Sequence, residues 1–240
     1  MEFRAPRDLV ASGDTVMVAQ TGLLKVFAEI GREYLLQTQV RLEGSLNSLC
    51  VSGGRVFGSV RGQPEGVIVE YGLVAPNRRQ SFGTGYTVGW RYAQQTLSTG
   101  FVACRDGLGV VVYGHERLPA VDAYALDGTK VWSTVMSDYE QGYWTETSDG
   151  WMVSPESPRE NLTSLVMTSS DFVIASYYRE DLDGNVTTRA YLLDALTGAG
   201  GLLEQTDRGD REILAISGDR YVTYVRGAYP RLRIWYVDEQ

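Results

Sequence analysis

The side chains of this chain best suited to chemistry are cations that recur just after short apolar runs. They are Arg61 in "RGQPEG", His115 and Arg117 in "GHERLP", Arg179 in "REDLDG" and Arg226 in "RGAYP". A guanidinium presents forked N–H donors that match a carboxylate or phosphate, so several gathered on one rim would hold an anion. Standing singly, the same arginines only solvate loop ends. A second group mixes rings with acids: Tyr139, Tyr143, Trp144 and Trp151 lie among Glu140, Glu146, Asp149 and Glu156. Aromatic faces beside carboxylates can hold a sugar, and paired carboxylates can hydrolyse it. Rings that simply pack as apolar cover need no ligand. His115, the one histidine, could serve as a general acid, yet no partner acid or metal shell accompanies it in the sequence. Glu116 beside it reads as a solvated loop residue, and a Gly-x-Ser-x-Gly nucleophile elbow is absent.

Composition narrows the field. With 240 residues, 43% of them hydrophobic and 22% charged, the chain can bury a substantial core and has no disordered character. Its formal charge of -8 repels phosphate backbones and anionic membranes, which argues against nucleic acid as a partner. No apolar stretch reaches bilayer length, so membrane insertion is not expected, and Met1 runs into "EFRAPRD", which lacks the pattern of a leader peptide. Two cysteines and one histidine are too few for a zinc site or a disulfide scaffold, and no cofactor is implied. "DLDGN" at 181–185 misplaces the glycine of a calcium loop and reads as a turn. The sequons at Asn161 and Asn185 are short patterns that arise readily by chance.

What must position these residues is a repeat. "VASGDTVMVA", "CVSGGRVFGS" and "AISGDRYVTY" each alternate apolar and polar residues around a glycine turn, the signature of a hairpin. Aligning these turns with "ACRDGLGVVVYG" and "MTSSDFVIASYY" gives five units, each continuing into a third strand and usually a fourth. Four short antiparallel strands per irregular repeat of about 40 to 50 residues describe an all-β propeller with almost no helix. The expected blades span about 7–43, 44–83, 84–137, 138–206 and 207–240. The last has three strands and lacks its outer one, and the fourth carries an inserted hairpin over about 138–158. In such a disc the connections after each second strand share one face, which would bring Arg61, His115, Arg117, Arg179 and Arg226 to a common rim. Cys50 and Cys104 occupy the same position relative to their turn glycines, so they could approach as neighbours on inner strands. They are otherwise two buried free thiols.

Along "APRDLVASGDTVMVAQTGLLKVF", "LCVSGGRVFGSV", "GVIVEYGLVAPNRRQSFG", "FVACRDGLGVVVYG" and "PRLRIWYVDEQ" the chain resembles six-bladed β-propellers of the NHL-like class, particularly exported bacterial members with no assigned activity. The resemblance spans essentially the whole chain. It implies a sixth blade and a ring-closing N-terminal strand that the five counted units do not supply, and a periplasmic or secreted location for a full-length form. A chain without them would tighten into a five-bladed ring, remain an open arc, or self-associate through its open blade edges. The expected role is a non-catalytic module that binds or scaffolds an unknown protein or a small anionic ligand. The alternative is a glycosidase-like or lactonase-like hydrolase or lyase using carboxylates near the aromatic hairpin.

Overall fold

A computed structural model describes residues 6–42, 44–72, 77–87, 89, 91–137, 139, 142, 144–147, 150–154, 159–203, 211–217, 220–225 and 231–236. Its strands fall into sheets in chain order. The first blade is β1 (Pro6–Ser12), β2 (Thr15–Gln20), β3 (Leu23–Ile30) and β4 (Glu33–Arg41). The second is β5 (Leu46–Ser52), β6 (Arg55–Val60), β7 (Glu65–Gly72) and β8 (Arg78–Thr84). A short helix, α1 (Arg91–Leu97), leads into the third: β9 (Gly100–Cys104), β10 (Val110–His115), β11 (Ala120–Ala125) and β12 (Lys130–Val135). A separate two-stranded sheet, β13 (Trp144–Thr147) and β14 (Gly150–Val153), forms the inserted hairpin. The fourth blade follows as β15 (Arg159–Met167), β16 (Phe172–Glu180), β17 (Val186–Asp194) and β18 (Gly200–Leu202). The fifth has three strands among the described residues: β19 (Arg211–Ser217), β20 (Arg220–Val225) and β21 (Arg231–Tyr236).

Every pairing within these sheets is antiparallel between consecutive strands, as hairpin connections require. In the first four blades the first hairpin turns on a residue with positive φ: Gly13 at 54°, Gly53 at 59°, Gly107 at 83° and, in the fourth blade, Asp171 at 64° rather than the serine beside it. Inner strands β1, β5, β9, β15 and β19 pack one against the next. The architecture is therefore a five-bladed β-propeller, one blade fewer than the NHL-like resemblance implies.

Alternation explains why the blades stack. Val56, with Leu46 and Tyr71 of its own blade, faces Met17, Leu24 and Val26 of the first blade, whereas Phe57 faces the third blade, beside Val102, Val111, Tyr113 and Tyr124. In the third blade Val111 looks back at the second and Val112 looks forward to Leu162, Leu165, Tyr177 and Tyr191 of the fourth. One residue of register separates the two interfaces, so the second and third blades are apolar on both faces and neither face can be left in water. Burying one such Phe or Val is worth about 1.5–3 kcal/mol.

Polar ties then set β1 against β5, β5 against β9 and β15 against β19. Asp8 and Ser48 both stand five residues before their turn glycine. Asp8 Oδ2 accepts the N–H of Leu49 at 2.6 Å, and Ser48 Oγ accepts the N–H of Val102 at 2.6 Å. Asn47 Nδ2 donates to Gly100 O at 3.0 Å, and Ser164 Oγ donates to Ile213 O at 2.5 Å. At the turn end of the second and third blades, Cys50 and Cys104 form a disulfide with a Cα separation of 5.5 Å.

Candidate functional site: the axial cavity and the loop face above it

The connections after β6 and β10 emerge on the same face as α1, and short backbone bonds fix them there. Arg61 N–H donates to Ser45 O at 3.0 Å. Glu116 N–H donates to Thr99 O, and Glu116 O accepts the N–H of Leu162, each at 2.8 Å, so Glu116 is stapled between the third and fourth blades. Its side chain is only 28% exposed and is not the solvated loop residue the sequence suggests. Burial pushes its carboxyl above the usual range, while Arg117, with Nε 3.7 Å from Oε1, and Arg61 pull it back. Two of the expected rim arginines do converge, but on an internal carboxylate, so the face is a mixed-charge cluster and not a bare cationic ring.

His115 is a correction. The sequence puts it on the rim, whereas the last residue of β10 is buried at 5% exposure, inside the interface between the second and third blades. Its Nε2 lies 3.2 Å from Asp122 Oδ2, and its ring stands edge-on to Tyr113 at 4.9 Å. Asp122 also receives Lys130 Nζ at 3.0 Å, and Tyr124 OH donates to it at 3.4 Å. Burial alone would raise the Asp122 carboxyl, but hydrogen bonds from His115, Ser133 and Lys130 outweigh it and hold the group well below the ordinary carboxylate range. Tyr124 is pushed up to about 12 by burial and by the Asp122 charge. This network joins β10, β11 and β12, which is a structural role.

Arg179, near the end of β16, pairs in register with Glu160 and Thr187, and its charge helps hold Asp181 below the usual range after the stronger effect of the Asn185 hydrogen bonds. The Asp181 carboxylate accepts the N–H groups of Asp183 and Asn185, so "DLDGN" is a self-satisfied turn. Arg226 and Tyr143 lie outside the described residues. Trp144 and Trp151 sit on opposite strands of the inserted hairpin, Trp144 opposite Val153 and Trp151 opposite Glu146. Tyr139, at the root of that hairpin, donates to Glu160 O at 2.5 Å and meets Tyr177 edge-on at 5.6 Å, which in turn meets Tyr191 at 5.5 Å. Burial and the Glu160 charge raise the Tyr139 phenol. This ring therefore packs into the fourth blade.

Below this face the five inner strands line one axial cavity of about 580 Å³. Arg7 and Asp8 stand at the end nearer α1 with Asn47 and Thr163, and Ser12, Arg105 and Asp106 stand at the opposite end with the disulfide. Between them run Leu9, Phe101, Leu165 and Leu214. The two carboxylates among the described lining residues are already committed: Asp8 accepts from Leu49 and Leu9, and Asp106 Oδ1 accepts the Gly53 N–H at 2.6 Å. Arg105 ion-pairs with Asp171 and donates to Ser169 O at 2.8 Å. None of Arg7, Leu9 or Leu214 was singled out from the sequence. The exposure pattern of "PRDLVAS" places Arg7 and Leu9 on one face of β1, but only the packing of the inner strands around the axis turns that face into a cavity wall.

A chain of five short antiparallel sheets around an axial cavity defines a β-propeller as its class. No family model and no curated protein sequence matches it. Among solved structures it is similar to hydrazine synthase of Kuenenia stuttgartiensis, with a TM-score of 0.64 at 13% identity over 97% of this chain and 65% of that one. It is also similar to BamB from Moraxella catarrhalis, TM-score 0.51 at 13% identity over 97% and 73% of the two chains. The computationally designed Ika8 protein gives 0.51 at 17% identity over 97% and 71%. The chain thus spans less than two thirds of the length of the hydrazine synthase chain it matches. Likeness at such identities concerns the fold alone.

Proposed function

We propose that the protein is a non-catalytic binding or scaffolding propeller whose loop face around Arg61, Arg117 and Arg179 receives an anionic ligand or an acidic segment of a partner protein. One observation carries this reading. The carboxylates lining the axial cavity, Asp8 and Asp106, are spent on backbone N–H groups that hold neighbouring blades together, whereas a hydrolase needs its acids free to meet substrate. An incoming carboxylate would share the guanidinium groups now gathered at Glu116. The test is fluorescence anisotropy with a labelled oligo-glutamate peptide at low salt. Substituting Arg61, Arg117 and Arg179 together by Glu should weaken binding by about tenfold or more; unchanged affinity refutes the rim.

The hydrolase or lyase alternative draws on Glu116, whose burial-raised carboxyl lies near the Tyr139 phenol. Product appearing by NMR when glycosides or lactones are incubated with the protein, and vanishing in Glu116→Gln, would replace the binding reading. As part of the same proposal we take the chain as a relative of the NHL-like propellers that works outside the cytoplasm. The recurrent strand–turn–strand units support the first, and the Cys50–Cys104 bond supports the second, since such bonds persist where thiols are oxidised. Trapping thiols in intact cells would find Cys50 and Cys104 alkylated if the protein resides in a reducing compartment.

A further inference from the structure

The geometry points to a second site, inside the cavity below the loop face: the axial cavity is a receptor for a monocarboxylate with an apolar body, its head held by Arg7 and its tail lying along Leu9, Phe101 and Leu214. The argument starts from what the other wall groups are doing. Asp8, Ser48, Ser164, Arg105 and Asp106 each carry a tie to the backbone of a neighbouring blade, and Thr163 Oγ1 donates to Ser176 O at 3.1 Å. Arg7 differs from all of them. Among the described residues its guanidinium makes no hydrogen bond or ion pair, although it lines the cavity and sits on the inner strand, at the bulge between Pro6 and Asp8. A cation without a partner at the mouth of a walled cavity is where an anion gains most, because forked charge-assisted bonds form there without first breaking an internal pair.

The wall below Arg7 completes the specification. Leu9 is 59% exposed and Leu214 39%, so two leucines on inner strands face open cavity space where inner-strand residues elsewhere, such as Leu46 and Val102, are packed away. Apolar side chains left open inside a cavity gain by covering, and a volume of about 580 Å³ falls within the ordinary span of small-molecule sites. Strand rise separates Arg7 from Ala11 by about 13 Å, so head and tail of one extended molecule can reach both zones. Neutral alcohols would satisfy the wall and leave Arg7 unpaired, and bare acetate would satisfy Arg7 and leave the wall uncovered.

Isothermal titration with three probes tests this directly: octanoate, 1-octanol with a similar tail and no charge, and acetate with the head alone. Octanoate should bind about tenfold or more tighter than either of the others. Arg7→Met, which keeps an apolar stem, should remove that advantage while leaving octanol binding unchanged, and Leu9→Asn should weaken octanoate and octanol together. Arg7 is exposed and makes no internal bond, so the variant is expected to fold, with unchanged circular dichroism as the check. Equal octanoate affinity in the parent protein and Arg7→Met, or no binding of octanoate at all, overturns the proposal. The Arg61, Arg117 and Arg179 substitutions leave octanoate binding untouched if the two sites are separate, so failure of the rim and failure of the cavity are read independently.

Discussion

Removing the Cys50–Cys104 bond by the double substitution Cys50→Ala and Cys104→Ala should destabilise the disc through the unfolded chain and leave its native contacts in place. The bond closes a segment of 54 residues. Chain-entropy arguments give a loop of that size about 4 kcal/mol at 25 °C. That is a large share of the roughly 5–15 kcal/mol by which folded domains are stable. With unfolding entropy near 2.1 cal/mol/K per residue, the same loss should lower the thermal midpoint by about 8 °C. Blades two and three keep Phe57, Val111, Tyr113 and the Asn47 and Ser48 ties across their interface, so the folded geometry does not depend on the sulfurs. The assay is urea and thermal unfolding of three samples: oxidised parent, reduced parent and the double variant. Reduced parent and variant should coincide below the oxidised protein. Midpoints agreeing within about 1 °C across all three, or two titratable thiols in the denatured, never-reduced protein, would refute the reasoning.

Asp122→Asn should cost about 3 kcal/mol at pH 7, because it loosens a buried charge network holding His115 and Lys130. The folded carboxyl is held below its ordinary value, so its contribution is present above about pH 4 and lost as pH falls. The gap between parent and variant in urea midpoint should therefore shrink on acidification, and a constant gap from pH 7 to pH 3 would contradict the assignment. Gly100→Ala places a Cβ against Gly114 O and 2.5 Å from Tyr113 Cζ, with an expected loss of about 3 kcal/mol in chemical denaturation. Gly201→Ala, where a Cβ meets open space, is the matched control and should be near neutral. Trp132→Phe deletes the Nε1 bond to Ala195 O at 3.0 Å between the third and fourth blades and should cost about 1–2 kcal/mol by the same measurement.

The blades were legible because a hairpin writes itself locally. Short apolar runs rich in β-branched residues such as "TVMVAQ" and "RVFGSV", each led in by Ser-Gly-Asp or Ser-Gly-Gly, specify strand, turn and strand without reference to anything distant. The inserted hairpin and the three-stranded final unit were readable on the same terms. Helix α1 was not, since Ala93 and Leu97 offer a single i, i+4 pair in a seven-residue element. The candidate site was less legible than the fold. His115, Arg117 and Glu116 are consecutive in "GHERLP", yet the first is buried against Asp122 and the other two face each other on the loop side.

By itself the sequence determined the recurrent strand–turn–strand units, five of them countable, and that two cysteines hold equivalent places in adjacent units. Tertiary structure decided what each face of the inner and second strands meets, and with that the burial of His115, the gathering of Arg61 and Arg117 at Glu116, and the exposure of Arg7, Leu9 and Leu214 to the cavity. The physical reason is range. Alternation and turn chemistry act over neighbouring residues, whereas the faces of the disc arise from rigid sheets packing through apolar surfaces that are equally greasy on both sides, and only that packing sets what each side chain meets.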